Sequence, residues 1–130
     1  MRLLLDTHAL IWFVQDADRL PKAAKDAVET AAEVYASAAS LWEMTTKHRA
    51  GKLPEIGPLL ADYESVFAKD DIRPLPIDLR HAALAGGMDG EHKDPFDRIL
   101  CAQALVEDLV LVSADKALDA FGVIRLWDAA

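Results

Sequence analysis

The chain has 130 residues, a length typical of one domain built around one hydrophobic core. Hydrophobic residues make up 52% of it and charged residues 28%, which is too apolar for a disordered protein. The formal net charge of −8 argues against a protein that holds nucleic acid by surface charge alone, unless the acids gather where cations bind.

The predicted elements alternate between strand and helix from the N-terminus onward. A buried strand over residues 3–6 (LLLD) leads into a helix with the sequence THALIWFV. A second helix (KAAKDAVETAA) follows Pro21, which favours a helix start. A second strand over 34–37 (VYAS) leads into a helix over 39–50, and Gly51 is the expected stop.

The rest of the chain continues this alternation. A connector over 54–58 precedes a helix over 59–68, and the prolines of IRPLPID (72–78) confine that extended segment to a sheet edge. The remaining predicted elements are a helix over 79–85, a glycine-rich loop over 86–94, a helix over 95–107, a strand over 109–115, a short helix around Leu118 and a strand over 123–127. This order predicts one α/β domain over 1–130 with a mainly parallel sheet of about five strands.

Several classes of protein are excluded by what the sequence lacks. No apolar stretch approaches the roughly 20 residues that span a bilayer. The N-terminal segment has no small-residue cleavage site, which argues against a signal peptide. A single cysteine, Cys101, excludes an intramolecular disulfide and is best interpreted as a packed helix residue. We therefore expect a cytoplasmic protein without a membrane segment.

Acidic residues fall at positions that a parallel sheet brings together. Asp6 and Asp115 close predicted strands, whereas Glu43 lies early in the helix after VYAS. The segment HKDPFDR puts Asp94 and Asp97 at the start of another helix. Open α/β sheets bind ligands beyond the carboxyl ends of their strands. Four carboxylates gathered there would need a cation such as Mg²⁺ or Mn²⁺, so the pattern predicts a metal site.

Each acid also has a structural interpretation. Asp6 and Asp115 could cap the helices that follow them, and Glu43 could be an ordinary exposed helical residue. Asp94 precedes a proline at the first helical position, which makes Asp94 the N-cap and Asp97 the third helical residue. Only the joint placement of these acids favours chemistry.

Four motifs, LLLDTHALIW, SAASLWEM, HKDPFDRILCAQA and LVSAD, occur in an order that resembles the PIN-domain ribonucleases, in particular the VapC-type toxins of bacterial toxin–antitoxin systems. The resemblance implies a PIN-like three-layer α/β/α fold and an endoribonuclease that depends on Mg²⁺ or Mn²⁺. By position, the family's acidic set corresponds to Asp6, Glu43, Asp97 and Asp115. The resemblance also implies a homodimer and a cognate VapB-type antitoxin as partner.

Roles follow from this correspondence. We expect Asp6 and Asp97 to hold the principal metal ion, and Glu43 and Asp115 to complete the shell through water or a second ion. Glu43 is our choice to orient the attacking water. The supporting residues are Thr7, Ser113 and Asp94.

Residues outside the acidic set are predicted as follows. The basic stretch KHRAGK supplies Lys47, Arg49 and Lys52 for the RNA backbone, or alternatively cations that favour a helix C-terminus. Arg98 is expected to contact phosphate or to neutralise the acids. We assign the tryptophans Trp12, Trp42 and Trp127 to the core, and the histidines His8, His48, His81 and His92 to surface or capping positions. The apolar run over 10–13 exceeds one helix face, so part of it could serve association.

Two rival functions remain. A phosphatase of the haloacid-dehalogenase type also opens with an apolar strand ending in aspartate, but it needs a second aspartate where this chain has His8. A non-catalytic α/β binding module would use the acids only as helix caps.

Overall fold

The computed structural model describes residues 1–128 and contains a five-stranded sheet. Its strands are β1 (Arg2–Leu5), β2 (Glu33–Ser37), β3 (Ile72–Leu75), β4 (Val110–Val112) and β5 (Arg125–Leu126). They lie in the order β3-β2-β1-β4-β5, and every neighbouring pair is parallel. The predicted α/β fold with a parallel sheet of about five strands is confirmed.

Helices connect the strands as the alternation predicted. They are α1 (Thr7–Val14), α2 (Lys22–Thr30), α3 (Ala38–Arg49), α4 (Gly57–Ala61), α5 (Tyr63–Lys69), α6 (Leu79–Gly87) and α7 (Pro95–Glu107), with 3₁₀ helices over Pro54–Ile56 and Lys116–Phe121. Among the described residues, no helix has the length and apolar character needed to cross a membrane.

Two hydrophobic cores sandwich the sheet. Side chains of a strand alternate between its faces, so Leu3 and Leu5 enter one core while Leu4 enters the other. Buried residues of α1, α2 and α3 fill the first core, and Leu100 and Cys101 of α7 fill the second. The result is the predicted three-layer α/β/α arrangement.

The strand order places a switch point at the centre of the sheet. From β1 the chain moves to β2 and β3 on one side, and it later returns to β4 and β5 on the other. Connections that leave β1 and β4 therefore diverge to opposite faces, and a crevice opens between their carboxyl ends. The residues that follow these two strands, Asp6 and Ser113, stand at this crevice.

Three details of the prediction differ from the structure. The helix predicted over 59–68 is two helices, because Asp62 leaves the helical region with φ −141° and ψ 37°. No glycine or proline marks this break. The strands predicted over 109–115 and 123–127 shorten to three and two residues. The expected edge position of the proline-containing segment is confirmed, since β3 is the end strand of the sheet that the described residues form and pairs with β2.

Candidate active site

Asp6 lies directly after β1 and caps α1, since its Oδ1 accepts the backbone N–H of Ala9 at 2.8 Å. The hydroxyl of Ser113, which follows β4, donates to the same carboxylate. Burial raises the pKa of Asp6, and these two hydrogen bonds only partly oppose that rise. Asp6 therefore combines the predicted helix cap with a place in the crevice between β1 and β4.

Glu43 points inward from α3 and is only 4% exposed, so the alternative of an ordinary exposed helical residue is wrong. Its Oε1 accepts the hydroxyl of Thr7 at 2.6 Å, and its Oε2 pairs with Lys47 one turn later. The Thr7 oxygen lies 3.1 Å from that of Ser40, so Ser40 must donate to Thr7. Both oxygens of Glu43 thus have protein partners.

Asp94 and Asp97 divide the start of α7 as predicted. Asp94 is the N-cap, and its Oδ1 accepts the N–H groups of Phe96 at 2.9 Å and of Asp97 at 3.3 Å. The Asp97 carboxylate, one turn in, lies 2.8 Å from Nε2 of His92. Burial raises the pKa of Asp97, and the charges of Asp94 and Glu43 add to that effect, while the bond to His92 opposes it.

Asp115 is exposed and caps the second 3₁₀ helix by accepting the N–H of Ala117 at 3.0 Å. Its own N–H is bonded to the Ser113 hydroxyl at 3.1 Å, so Ser113 links Asp115 to Asp6. One ligand atom from each of Asp115, Asp97 and His92 lies within 4.8 Å of the others. Asp115 therefore caps a helix and also belongs to the group of possible metal ligands.

The four predicted acids converge although they lie far apart in sequence. The charge of Asp97 acts on Asp6, and that of Glu43 acts on Asp97. Cys101, buried one turn after Asp97, has its pKa raised to about 12, first by burial and then by Asp97, Asp115 and Asp6. The prediction that Cys101 is a packed residue is confirmed.

The basic residues Lys47, Arg49 and Lys52, which were predicted to contact RNA, do not share one environment. Lys47 is committed to Glu43, and that hydrogen bond raises the pKa of Lys47. Arg49 is exposed at the C-terminal end of α3, and Lys52 is exposed three residues beyond it. Lys47 therefore compensates the acidic cluster, and the other two lie farther from it.

Arg98 is held inside the fold. Its guanidinium donates to the backbone carbonyls of Ala85 at 2.9 Å, His92 at 2.9 Å and Met88, and lies over the ring of Phe121 at 5.3 Å. A contact with RNA phosphate would require these bonds to break. The structure therefore revises the predicted RNA-binding role of Arg98 to that of a residue that fastens the loop before α7.

The aromatic predictions need one correction. Trp12 and Trp127 pack against the first core as expected, but Trp42 is 62% exposed and meets Phe96 edge-on at 5.0 Å. Its position on α3, one residue before the inward-facing Glu43, directs it to the surface. The apolar residues over 10–13 pack in or against the first core, so this run no longer supports association with a partner.

The histidines were predicted to be surface or capping residues. His81 is confirmed as a capping residue, whereas His92 contacts the acidic site. His81 is buried, and its Nδ1 accepts the N–H of Asp78 in a capping box while Nε2 faces Glu107 at 3.3 Å. His92 was missed because its loop has no metal-ligand spacing. The available signal was its place two residues before the N-cap Asp94, where a chain entering a helix can turn back towards the first turn.

The chain is similar to known proteins over most of its length. The family model of the PIN domain matches residues 3–124. The chain belongs to the PIN-domain family. Over 117 residues it is 28% identical to Ribonuclease VapC22 of Mycobacterium tuberculosis. The aligned region covers 89% of this chain and 88% of that protein.

Solved structures of similar fold agree with the family. VapBC2 from Rickettsia felis, bound to a promoter DNA fragment, matches this PIN domain with a TM-score of 0.72 at 13% identity, over 98% of this chain and all of the other. DNA-bound VapBC from Salmonella typhimurium matches with a TM-score of 0.69 at 17% identity, over 98% of both chains. The resemblance to the PIN fold is confirmed, and the phosphatase alternative has no support.

The donors of this PIN-domain site fit a hard divalent cation. They are carboxylate oxygens, which Mg²⁺ and Mn²⁺ prefer. The pKa values of Asp6 and Asp97 are raised, first by burial and to a lesser extent by neighbouring acids, so the ionised forms carry an energetic deficit. A bound cation would remove that deficit, so the charge balance of the cluster agrees with its donor chemistry.

Proposed function

We propose that this PIN-domain protein is a metal-dependent endoribonuclease that hydrolyses RNA phosphodiester bonds with Mg²⁺ or Mn²⁺. The observation that carries the proposal is the convergence of Asp6, Glu43, Asp97 and Asp115 at the switch point of the sheet, with two of the four carrying raised pKa values. A cation bound there would supply an activated water and stabilise the charge that develops at phosphorus.

The residues of the chain divide the remaining tasks. Asp6 and Asp97 are the principal cation ligands, and Asp115 completes the set from the more exposed side. Because both oxygens of Glu43 already have partners, Glu43 is better suited to orient a water or accept its proton than to bind the cation directly. Thr7 and Ser113 keep Glu43 and Asp6 oriented, while Asp94 starts the helix that carries Asp97.

RNA contacts are proposed at the rim of the site. Arg49 and Lys52 are exposed and suited to phosphates distant from the scissile bond. Lys47 lies beside the acids and can neutralise charge there. The exposed ring of Trp42 offers a stacking face to an RNA base.

The proposal includes biological partners. Relatives of similar fold were solved as VapBC complexes on DNA, and the similar protein of M. tuberculosis is named a ribonuclease. We therefore propose that this chain is the toxin of a toxin–antitoxin pair, acts in the cytoplasm as a homodimer and is silenced by a VapB-type antitoxin. Size-exclusion chromatography with light scattering tests the dimer, and co-purification with the neighbouring gene product tests the antitoxin.

The deciding experiment is cleavage of structured RNA in Mg²⁺ or Mn²⁺, with EDTA as the negative control. Asp97→Asn should reduce the rate at least about a hundredfold, as expected when transition-state charge loses its support. Asp94→Asn should largely preserve the rate, because asparagine caps a helix as well as aspartate does.

Two results would refute the proposal. The opposite ranking of these variants would reverse the assigned roles. Wild-type protein that neither cleaves RNA nor gains thermal stability at millimolar Mn²⁺ would instead favour a non-catalytic binding module, since ligand binding to the folded state must stabilise it.

A further inference from the structure

The loop over 88–94, between α6 and α7, brings a histidine to the acids that the proposed function does not use. Nε2 of His92 lies 2.8 Å from Oδ2 of Asp97. Asp115 supplies a third ligand atom, and all three lie within 4.8 Å of one another. The side chain of His92 is 23% exposed, so its ring borders solvent at the mouth of the site.

This position of His92 is fixed by several contacts. Arg98 binds the carbonyls of Met88 and His92 and so ties both halves of the loop to α7. The His92 ring meets Phe121 edge-on at 6.1 Å and 85°. Gly90 has φ +130°, and a Cβ there would lie 3.1 Å from the Phe121 ring. The loop thus requires glycine at one position and uses Arg98 and Phe121 to present the imidazole.

We propose that His92 is a direct ligand, with Asp97 and Asp115, of the divalent cation in this site, an inference that rests on the proposed function. Ligands at adjacent positions of an octahedral ion lie about 3 Å apart, and opposite ligands about 4 Å apart. The 2.8 Å between Nε2 of His92 and Oδ2 of Asp97 matches the spacing of adjacent ligands, and a ligand atom of Asp115 lies within 4.8 Å of both residues. A cation held by both residues would replace the hydrogen bond between Nε2 of His92 and Oδ2 of Asp97.

A nitrogen ligand narrows the identity of the cation. Imidazole adds affinity for first-row transition ions, whereas Mg²⁺ prefers oxygen donors and water. Mn²⁺ is the transition ion that also suits carboxylates. The set His92, Asp97 and Asp115 therefore selects Mn²⁺ over Mg²⁺, a choice that the four acids alone leave open.

A different role for the same contact is that His92 only orients Asp97 by hydrogen bonding, as outer partners of metal ligands do. Glutamine separates the two roles. The amide of His92→Gln can still donate to Asp97, but it provides no imidazole nitrogen. The matched control is His8→Gln, an exposed histidine two residues from Asp6.

The direct test is pulsed electron paramagnetic resonance of Mn²⁺ bound to the whole protein, read as modulation from a coordinated ¹⁴N nucleus. Wild type and His8→Gln should show the nitrogen coupling, and His92→Gln should lose it while still binding Mn²⁺. Absence of nitrogen coupling in wild type, or its persistence in His92→Gln, would overturn the proposal.

Binding constants supply the second readout, by calorimetry with Mn²⁺ and with Mg²⁺. Loss of a ligand should weaken Mn²⁺ binding at least as much as loss of an outer partner does, about tenfold or more, and leave Mg²⁺ binding nearly unchanged. An equal loss for both ions would assign His92 the orienting role only. Wild type that binds neither ion would instead refute the proposed function.

Discussion

The two sides of the acidic site are held by different means. The inner side consists of Asp6, Glu43 and the hydroxyls of Thr7 and Ser113. Asp6 and Ser113 directly follow the central strands β1 and β4, Thr7 begins α1, and Glu43 lies inside α3. The outer side consists of His92, Asp97 and Asp115, which sit on a loop and at the starts of helices. Hydrogen bonds within the protein satisfy the polar groups of the inner side. The outer side is positioned in part by the loop that Arg98 holds, and its possible metal-ligand atoms face solvent.

This difference suggests a division of labour. Groups whose oxygens are already bonded within the protein are oriented before any ligand arrives, which suits chemistry on a water or phosphate. Groups that lie open and carry poorly compensated charge gain most from a cation. We therefore expect Glu43, on the inner side, to govern the rate of cleavage. The outer side should determine the identity of the cation and, together with Asp6, the affinity for it.

The largest effect expected from this comparison is a separation of rate from metal affinity in Glu43→Gln. RNA cleavage should fall by about two to three orders of magnitude, because the group that orients the water loses its charge. Mn²⁺ affinity should change only severalfold. Single-turnover cleavage and calorimetry on the same preparation measure both, and a parallel fall in the two would make Glu43 a direct cation ligand.

Loosening the outer side through Arg98→Ala should lower the free energy of unfolding by about 2–3 kcal/mol, as expected for lost hydrogen bonds from a charged group to carbonyls. Mn²⁺ affinity should fall with it, since the loop no longer presents His92. Urea unfolding and calorimetry provide the measurements. The control is Arg80→Ala, which removes exposed ion pairs and should destabilise the protein less than Arg98→Ala does. Unchanged metal affinity in Arg98→Ala would separate the loop from the site.

The smallest expected effect is on the thermal stability of the metal-free protein, and it concerns Asp6 on the inner side. Burial raises the pKa of Asp6, so its ionised form is disfavoured in the folded state. Asp6→Asn should therefore raise Tm by a few degrees at neutral pH, since asparagine keeps the cap on α1. The advantage should shrink as pH falls through the raised folded-state pKa, and it should vanish below the ordinary aspartate value.

A variant of opposite sign provides the control for that pH dependence. Arg125 lowers the pKa of Asp119, so Asp119→Asn should slightly destabilise the protein at neutral pH. That deficit should shrink once pH falls below the ordinary aspartate value, and it should disappear below the lowered folded-state pKa. Thermal melts in EDTA between acidic and neutral pH record both trends, and a stabilising Asp119→Asn would contradict the electrostatic account.

The inner side could largely be predicted from sequence, and the outer side only in part. Asp6 ends a strand and Ser113 follows another, so the rule for parallel sheets puts them together without any knowledge of side-chain geometry. Lys47 stands four residues after Glu43, a spacing that already favours an ion pair over an RNA contact. Local spacing is therefore enough to predict that Lys47 pairs with Glu43.

The positions of His92 and Arg98 could not be predicted, because they depend on the path of the glycine-rich loop. The loop conformation follows from three carbonyl contacts of Arg98 and from the fit of Gly90 against Phe121, none of which has a periodic signature. The exposure of Trp42 was missed for a related reason. A helix of mixed composition does not show which of its apolar residues points outward.

The dependence of RNA cleavage on a cation at the acidic site is tested most directly by one titration of metal-free wild-type protein with Mn²⁺. RNA cleavage and Mn²⁺ occupancy are followed together. We predict no cleavage in EDTA, and a cleavage rate that rises with bound Mn²⁺ on a single curve. Cleavage that persists in EDTA, or full Mn²⁺ occupancy without any cleavage of structured RNA, would contradict the claim that these acids form a metal-dependent ribonuclease site.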